Sequence, residues 1–373
     1  MTKKSILCVV GARPNFMKIA PIMQAFGAGV NPILAKIVHT GQHYDEAMNK
    51  SFFADLGIPQ PDINLGVGSG SHAVQTAEVM RRFEPVLDQE QPAAILVVGD
   101  VNSTIACALV AAKKGVAVIH VEAGLRSYDR AMPEEINRVL TDQLSDLLYT
   151  TERSALHNLA REGIDPSRVQ FVGNVMIDTL HHNLKKAIPA SVSLANSGAD
   201  ISKGFVVLTL HRPSNVDQES ILKTLLETVG QISQQLPVIF PLHPRTKSRI
   251  EQFHLEALLT QSNIYTLPPV GYLHMLGLMR EAKMVLTDSG GIQEETTALG
   301  VPCITSRDNT ERPITVEEGT NVVVGSAHEK VLAAAQDVLL TGGKAGRVPE
   351  YWDGHAAERI AEHLRTWLAK RSV

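Results

Sequence analysis

The chain has few of the features that mark secreted, membrane or disulfide-stapled proteins. Its 373 residues include three cysteines, Cys8, Cys107 and Cys303, which stand far apart in apolar surroundings. Because this spacing fits neither a disulfide framework nor a zinc site, we expect buried, reduced thiols. No apolar run reaches the roughly 18 residues of a membrane span, and the first residues do not form a signal peptide. We therefore expect a cytoplasmic protein.

An excess of charge of one sign is also missing. The chain has 35 Lys and Arg against 39 Asp and Glu, a net charge of −4, which argues against a nucleic-acid or membrane partner. The histidines are scattered and form no H-E-x-x-H or other compact ligand set, so no metal site is expected. No G-x-S-x-G elbow of an esterase occurs.

A dinucleotide fingerprint is absent as well. The nearest candidate, Gly66-Val-Gly-Ser-Gly-Ser71, lacks the G-x-G-x-x-G spacing and follows no clear strand. We expect it to be an ordinary loop before a helix near 72–88. The sequence therefore predicts no nicotinamide cofactor.

Short β-branched apolar runs, separated by segments of helical periodicity, fill most of the chain. The first series lies at 5–10, 34–39, 94–98, 116–121, 146–150 and 169–172, and the second at 205–210, 237–241, 263–267, 284–287, 301–304 and 321–324. The small, polar segment 187–200 between them is expected to be irregular. Since the chain is too long for one core, the pattern predicts an α/β protein of two facing, Rossmann-like, doubly wound domains. The cleft between them is the expected active site.

Three acidic residues stand where such a fold places reactive groups. Asp100 follows the run 94–98, Glu122 follows the run at 116–120, and Glu134 opens a helix just after Pro133. Ligands of doubly wound sheets bind beyond the carboxyl ends of the strands. We therefore expect these carboxylates to face one site.

The helix that begins at Pro133 has a clear apolar period. Its members, which we expect to be buried, are Ile136, Leu140, Leu144 and Leu147. Glu134 and Arg138 lie one turn apart on another face. This spacing fits a surface ion pair as well as a pair in the site.

Cationic residues follow several strands. Arg13 and Lys18 flank the turn from the first strand into a helix, where an anion would be favoured, although both could be solvated surface charges. In the second half, His211 and Arg212 follow one strand and His243 follows the next.

The segment Thr287-Asp-Ser-Gly-Gly-Ile-Gln-Glu-Glu-Thr296 is a further strand, turn and helix start. Gly290 and Gly291 allow close approach of a ligand to the backbone, and Ser289 offers a hydroxyl. Glu295 is placed to meet a vicinal diol such as ribose. With Arg312 in the polar turn 308–313, these strand ends indicate a phosphorylated ligand.

Together these motifs resemble the non-hydrolysing UDP-N-acetylglucosamine (UDP-GlcNAc) 2-epimerases, which have the glycosyltransferase-B fold. The similar segments are G-A-R-P-x-x-x-K at 11–18, G-Q-H at 41–43, G-D-x-x-S-T at 99–104, H-V-E-A-G-L-R at 120–126, P-E-E-x-N-R at 133–138, H-R at 211–212, D-S-G-G-x-Q-E-E at 288–295 and T-E-R-P at 310–313.

The resemblance implies roles for matching residues. The catalytic residues would be Asp100, Glu122, Glu134 and His211. The residues that bind the sugar or UDP would be Arg13, Lys18, Arg138, Arg212, His243, Met275, Ser289, Gly290, Gly291, Glu295 and Arg312. It also implies a catalytic domain, 1–172, completed by a C-terminal helix near 354–373, a UDP-binding domain, 173–353, and a homodimer.

The implied reaction is reversible epimerisation at C2 of UDP-GlcNAc through anti elimination of UDP and its re-addition. The product would supply N-acetylmannosamine units for cell-surface polysaccharides. Alternatives are a C2 epimerase of a modified sugar (a uronic acid or deoxy sugar), a hydrolysing epimerase, a glycosyltransferase and a non-catalytic UDP-sugar sensor. Hydrolysing relatives tend to be rich in histidine and glycine where this chain has His120-Val-Glu-Ala-Gly124, and a transferase would not need the clustered carboxylates.

One stretch departs from the family pattern. Many bacterial members bind a second UDP-sugar as an activator through a Q-H-x-x-Q-like segment, but Gln42-His-Tyr-Asp45 lacks the second glutamine. The arginine that helps that site has no counterpart in Gly68-Ser-Gly-Ser-His72. We therefore expect activation by UDP-GlcNAc to be weak or altered.

Overall fold

The computed structural model describes residues 5–29, 31–41, 57 and 59–371. The chain forms two compact units: unit 1 comprises residues 1–182 and 350–373, and unit 2 comprises residues 183–349. Each unit is a parallel β-sheet whose strands alternate with helices along the chain. This confirms the predicted class, an α/β protein of two Rossmann-like domains.

The sheet of unit 1 has the strand order β3-β2-β1-β4-β5-β6-β7, with every pair parallel. Its strands are β1 (Ile6–Val10), β2 (Ala35–His39), β3 (Ile63–Asn64), β4 (Ala94–Val98), β5 (Ala117–Ala123), β6 (Leu147–Thr150) and β7 (Val169–Phe171). The strands β1, β4 and β5 are buried throughout. Their β-branched and aliphatic residues are typical of parallel strands that are covered on both faces.

The helices of unit 1 alternate with its strands along the chain. They are α1 (Arg13–Gly27), α2 (His72–Glu90), α3 (Asn102–Lys113), α4 (Pro133–Leu144), α5 (Arg153–Arg161), α6 (Val175–Leu184, which runs into unit 2) and α16 (Ala356–Arg371), with a short 3₁₀ turn at Pro166–Arg168. Ser71 caps α2 by accepting a hydrogen bond from the Val74 amide, so the glycine-rich segment before it is a loop. Pro133 occupies the first turn of α4, where its missing N–H costs nothing.

The chain returns to unit 1 after residue 349. The buried indole of Trp352 donates to the Thr151 carbonyl at 3.1 Å. Asp178 accepts hydrogen bonds from the first amides of α16, those of Ala356 and Ala357. The helix α16 then packs on α1, so the C-terminal segment is part of the core of unit 1.

Unit 2 repeats the same topology with the strand order β10-β9-β8-β11-β12-β13. Its strands are β8 (Val206–Thr209), β9 (Val238–Pro241), β10 (Ile264–Leu267), β11 (Met284–Thr287), β12 (Cys303–Thr305) and β13 (Asn321–Val323). Its helices are α7 (Ala190–Ser193), α8 (Pro213–Val216), α9 (Glu219–Ile232), α10 (Pro244–Gln252), α11 (Glu256–Thr260), α12 (Tyr272–Glu281), α13 (Gly290–Leu299), α14 (Pro313–Glu317) and α15 (His328–Thr341).

Both strand orders reverse direction beside the first strand of their unit. In unit 1 this topological switch point lies between β1 and β4, and in unit 2 it lies between β8 and β11. Loops that follow two such strands diverge and leave a crevice, which is where doubly wound sheets bind ligands. The segments after these four strands include Lys18, Asp100, His211 and Asp288.

The predicted strands agree closely with those of the structure, with one omission. The two-residue strand β3 was not predicted, because it is too short for a period of alternating residues. The segment 187–200, expected to be irregular, contains the one-turn helix α7 and contributes Ala190 and Leu194 to the core of unit 2. The three cysteines are buried and free, as predicted.

The buried face of α4 differs from the prediction. Ile136 and Leu140 were expected in the core, but they are 42% and 49% exposed. The polar face is turned inward instead, and its buried members are Glu135, Asn137, Arg138, Thr141 and Asp142. The apolar period identified the helix as far as Leu144, which is partly buried, but Leu147 lies in β6. The side of α4 that faces the core is polar, and its charged residues pair there with other charged groups.

None of the helices within the described ranges combines the length and apolar character needed to cross a membrane.

Candidate active site

The first part of the site is the turn that follows β4 in unit 1. Gly99 has a φ of +67°, and a Cβ there would lie 3.0 Å from Lys18 Nζ and 3.9 Å from Glu122 Oε1. Glycine is therefore required both by the left-handed backbone and by the close approach of the Lys18–Glu122 pair. Asp100 follows directly, so the structure brings Lys18, Glu122 and Asp100 to one edge of the sheet.

Glu122 occupies a strained backbone conformation. Its φ is +73°, and the pairing of β5 with β6 shifts register between Val121 and Ala123. A non-glycine residue in the left-handed region costs of order 1 kcal/mol or more, and such residues cluster at functional sites. Lys18 Nζ lies 2.6 Å from Glu122 Oε2, and both side chains are buried. The bulge thus holds a buried carboxylate against one cation.

Asp100 is held by residues of α4. Arg138 Nη2 lies 2.6 Å from Asp100 Oδ2, and the Asn137 side-chain amide donates to the Asp100 carbonyl at 2.9 Å. The Asp100 side chain is 22% exposed, whereas that of Arg138 is 3% exposed. A buried arginine therefore positions a carboxylate that solvent and ligands can still reach.

The two adjacent glutamates of α4 have different environments. Glu135 is buried and accepts hydrogen bonds from the backbone amides of Ser127 and Tyr128, which fixes the loop before the helix. Glu134 is partly exposed and has no hydrogen-bond or ion-pair partner among the described residues. Arg138, expected one turn from Glu134 as its partner, pairs with Asp100 and lies 3.4 Å from Glu135 instead. Glu134 is therefore the glutamate that is free to meet a ligand.

In unit 2, a buried aspartate orients His211. Asp288 Oδ1 lies 2.8 Å from His211 Nδ1, and the same carboxylate accepts the backbone amides of His211 and Arg212 and the side chain of Asn215. Burial would raise the pKa of Asp288, but hydrogen bonding and the charge of His211 outweigh it and lower that pKa. Asp288 is thus ionised and directs Nδ1–H of His211 inward, which leaves Nε2 for a ligand.

The start of α13 lies against a cluster of arginines. A Cβ on Gly290 would lie 2.6 Å from Glu311 Oε1, so a larger residue would have to displace this carboxylate. Arg307 Nη2 lies 2.8 Å from Glu311, and Arg212 Nη2 lies 3.7 Å from it. Burial would raise the pKa of Glu311, but Arg312, Arg307 and Arg212 hold it well below the usual range.

The N-terminus of α13 has the chemistry of an anion site. Ser289 is the N-cap residue, and its side chain makes no capping hydrogen bond. The first amides of the ten-residue helix lack an intrahelical acceptor and carry the positive end of the helix dipole. With Arg212 partly exposed nearby, this end can bind a phosphate group.

Glu295 lies one turn further into α13. Tyr272 Oη donates to Glu295 Oε1 at 2.8 Å, and the carboxylate is buried. Burial raises the pKa of Glu295 to about 7, the Tyr272 hydrogen bond opposes the rise, and the charge of Glu294 adds to it. Arg312 Nε lies 2.8 Å from Glu294, so this arginine is tied to the same helix.

The other predicted site residues are placed as follows. His243 is exposed at the N-cap of α10, and its ring centroid lies 5.5 Å from that of His211. The amide of Met275, in α12, donates to the Gly271 carbonyl. The Arg13 side chain and the Gln42–Asp45 stretch lie outside the described residues.

Comparison with known proteins decides the family. A sequence model described as UDP-N-acetylglucosamine 2-epimerase matches residues 30–365. The UDP-N-acetylglucosamine 2-epimerase of Methanocaldococcus jannaschii is 44% identical over 360 residues, which cover 95% of this chain and 97% of the relative. The chain belongs to the UDP-N-acetylglucosamine 2-epimerase family. This confirms the family predicted from the motifs.

A solved structure and one further relative show which proteins this chain is similar to. The crystal structure of the M. jannaschii UDP-GlcNAc 2-epimerase in complex with UDP-GlcNAc and UDP has a TM-score of 0.88 and 43% identity, covering 97% of this chain and 99% of that one. The UDP-2,3-diacetamido-2,3-dideoxy-D-glucuronate 2-epimerase of Pseudomonas aeruginosa is 40% identical over 366 residues, or 96% of this chain and 99% of the relative. The family therefore includes enzymes named for different sugars.

Several residues that organise the site were not predicted from the sequence. They are His120, Asp142, Asp288, Arg307 and Glu311. His120, Asp288 and Glu311 stand inside motifs that were recognised. The partners of His120 and Asp288, which are Asp142 and His211, are distant in sequence, so no local pattern reveals these two roles. No sequence pattern marks Asp142 as a site residue, because an aspartate within an amphipathic helix normally faces solvent.

Proposed function

We propose that the protein catalyses the reversible epimerisation of UDP-GlcNAc to UDP-N-acetylmannosamine at C2 of the sugar. The observation that carries this proposal is the set of three carboxylates at one edge of unit 1. Two of them, Glu122 and Asp100, are each paired with one buried cation, and Glu134 has no partner within the described residues. Family membership supplies the reaction class.

The chemistry explains why several acids and bases are needed. The C2 proton has no adjacent carbonyl to stabilise a carbanion, so its removal is coupled to cleavage of the C1–O bond, and the electron pair leaves with UDP. Anti elimination gives a 2-acetamidoglucal. A proton is then delivered to C2 on the opposite face while UDP adds back to C1. Groups on both faces of the sugar must therefore exchange protons, and we assign these steps collectively to Asp100, Glu122 and Glu134.

We further propose that unit 2 holds the UDP group. The N-terminus of α13, with Ser289, Gly290 and Gly291, binds the diphosphate, and Arg212, Arg312 and His211 offset the charge that develops as UDP leaves. Glu295 accepts hydrogen bonds from the ribose hydroxyls. The uracil lies beside Met275, and His243 completes the polar rim near His211. In unit 1, Arg13, Lys18 and Arg138 bind the substrate.

The test is incubation of the protein with UDP-GlcNAc in deuterated water without added cofactor, followed by NMR. UDP-N-acetylmannosamine with deuterium at C2 is the expected product. Free N-acetylmannosamine would instead identify a hydrolysing epimerase, and transfer to an added acceptor a glycosyltransferase. Asp100→Asn and Glu134→Gln should abolish exchange but keep UDP affinity. The matched control is Glu84→Gln, at a surface glutamate of unit 1 that is 58% exposed, and it should retain full activity.

A modified sugar is the second candidate substrate. It is favoured by the 40% identity with the P. aeruginosa diacetamido-glucuronate epimerase over nearly the full length of both chains. The same exchange assay with UDP-2,3-diacetamido-2,3-dideoxy-D-glucuronic acid compares kcat/KM for the two sugars directly. A higher value for the uronic acid would reassign the substrate without changing the reaction. We propose a cytoplasmic location and a role in supplying sugars for cell-surface polysaccharides in either case.

We also propose that the protein is a homodimer joined through the outer face of α4. Ile136 and Leu140 are exposed there, and Ile136 lines a groove against α2 with Ala73 and Met80. Exposed apolar patches on folded domains mark interaction surfaces. Ile136→Glu with Leu140→Glu should give a monomer in sedimentation analysis. The control Leu340→Glu changes an isolated leucine that is 85% exposed and should not alter the mass. A wild-type monomer would contradict the proposal.

A further inference from the structure

His120 lies inside the sheet of unit 1, and both of its ring nitrogens face an oxygen atom. Nδ1 lies 2.7 Å from Asp142 Oδ1, and Nε2 lies 2.9 Å from the Gly99 carbonyl oxygen. The side chains of His120 and Asp142 are completely buried. The ring therefore bridges helix α4 to the turn that carries Asp100.

Neither of these oxygens can donate a hydrogen bond. A backbone carbonyl is only an acceptor. Asp142 is a carboxylate because its other oxygen pairs with Arg126 Nη2 at 2.7 Å and accepts the Gly124 amide. Burial would raise its pKa, but hydrogen bonding and the neighbouring charges outweigh the burial and lower that pKa. Since both partners accept, a proton on each ring nitrogen of His120, and hence an imidazolium ring, satisfies both contacts.

The charges around the ring lead to the same result. Asp142 Oδ2 lies 2.7 Å from Arg126 Nη2, and the same nitrogen lies 2.6 Å from Glu162. Two carboxylates and one guanidinium leave one negative charge, and an imidazolium at His120 balances it. Buried charges are tolerated when they are paired in this way.

The groups on the Gly99 side of the ring form separate pairs. A side chain at Gly99 would contact the Lys18–Glu122 pair, and Asp100 pairs with Arg138. Arg138 also lies 3.4 Å from Glu135, so these groups carry no excess positive charge. They therefore do not supply the positive charge that Asp142, Arg126 and Glu162 leave unbalanced.

Asp142 holds the backbone at two places beside the proposed catalytic carboxylates. Through His120 it fixes the Gly99 carbonyl, and hence the peptide plane that leads into Asp100. Its other oxygen accepts the Gly124 amide at 3.0 Å, two residues after the strained Glu122. One carboxylate of α4 thus sets the backbone on which both acids stand.

We propose that doubly protonated His120 and Asp142 form a positioning pair that fixes Asp100 and Glu122 for proton transfer. The role rests on the proposed epimerase function, but the protonation of His120 does not. Because neither residue belongs to the proposed UDP site of unit 2, loss of the pair should lower kcat and leave KM nearly unchanged. Misplacing a reacting group by about 1 Å costs of order 100-fold.

The charge is tested by NMR of the whole protein with ¹⁵N-labelled histidine at pH 7.5. We expect one imidazole with two ring N–H signals, which are lost in His120→Gln and altered in Asp142→Asn. A neutral tautomer with one N–H at His120 would overturn the proposal. Two N–H signals in a protein without epimerase activity would keep the charge assignment and refute the proposed function instead.

The role is tested by kinetics on His120→Gln and Asp142→Asn. Both should lower kcat at least tenfold, with KM within twofold of the wild type. The control is Tyr149→Phe, which removes one buried hydroxyl, hydrogen-bonded to His363, from the neighbouring strand β6 and should keep kcat. An unchanged kcat in His120→Gln would overturn the positioning role. The positioning role would also be overturned if Tyr149→Phe lost the same thermal stability as His120→Gln and showed an equally large fall in kcat.

Discussion

Replacing Glu295 by glutamine should stabilise unit 2 at neutral and alkaline pH. The carboxyl group is buried in α13, beside Glu294 and under the Tyr272 hydroxyl. Burial raises its pKa from the ordinary 4.5 to about 7. Glutamine has nearly the same shape, keeps an oxygen that accepts the Tyr272 hydrogen bond and has no charge. The substitution therefore isolates the cost of ionising this buried group.

The sign and size of the effect follow from proton linkage. Between pH 4.5 and about 7 the folded protein keeps the proton on Glu295, whereas the unfolded chain has released it. Stability of the wild type therefore falls as pH rises through this window. A pKa difference of about 2.5 (about 7 minus 4.5) corresponds to about 3 kcal/mol, because one pKa unit is worth about 1.4 kcal/mol. Glu295→Gln should match the wild type below pH 4.5 and exceed it by about 3 kcal/mol above pH 7.

The assay is urea unfolding of both proteins at a series of pH values from 4 to about 8. Both tryptophans of the chain, Trp352 and Trp367, belong to unit 1. Tryptophan fluorescence therefore reports unit 1, while far-UV circular dichroism reports both units. A transition that circular dichroism detects and tryptophan fluorescence does not belongs to unit 2. The difference in the stability of this unit between the two proteins should change with pH. The fluorescence transition serves as the internal control and should not shift.

A stability difference that does not change with pH would refute this reasoning, and so would a wild type that becomes the more stable protein above pH 7. Ligand binding gives a second check. If ionised Glu295 accepts the ribose hydroxyls, UDP affinity of the wild type should rise through pH 7. The glutamine variant should bind UDP more weakly than the wild type at pH 8, with no such rise.

Two further substitutions test the site of unit 2. Asp288→Asn replaces an acceptor of His211 Nδ1–H by a group that can also donate, so kcat should fall about 100-fold, the usual size of a general acid–base contribution. UDP affinity, measured by calorimetry, should stay within a few-fold. Gly290→Ala places a methyl group 2.6 Å from Glu311 Oε1, so it should displace the arginine cluster and weaken UDP binding at least tenfold. The control Gly27→Ala, in open space at the end of α1 in unit 1, should not weaken it.

Much of the fold was predictable because a strand that is buried on both faces can be recognised from its local composition. The run 94–98 is apolar without interruption since helices cover both faces of β4, and it was placed correctly. The position of Asp100 followed from it, because the residue after a parallel strand lies at the ligand edge of the sheet. The two-residue strand β3 has no such signature.

The error at α4 has a physical cause. Hydrophobic periodicity identifies a helix and its two faces, but it assigns the apolar face to the core only when apolar burial decides the packing. Here Arg138, Asn137 and Asp142 find charged and polar partners inside unit 1, in Asp100, its backbone and His120. Those partners are distant in sequence, so no local pattern reveals them.

The packing of α4, whose polar face is turned toward the core, connects the two proposals made for unit 1, which are the positioning pair and the dimer surface. A helix with a polar face turned inward is stable only where the inner charges are paired, and the pairs of Asp142 and Arg138 meet that condition. The apolar residues Ile136 and Leu140 then lie on the outer face of α4, where they are not buried in the core. The arrangement that positions the proposed catalytic carboxylates thus exposes the surface proposed for the dimer. We therefore expect mutations at Asp142 to affect mainly catalysis, and mutations at Leu140 to affect mainly the assembly of the dimer.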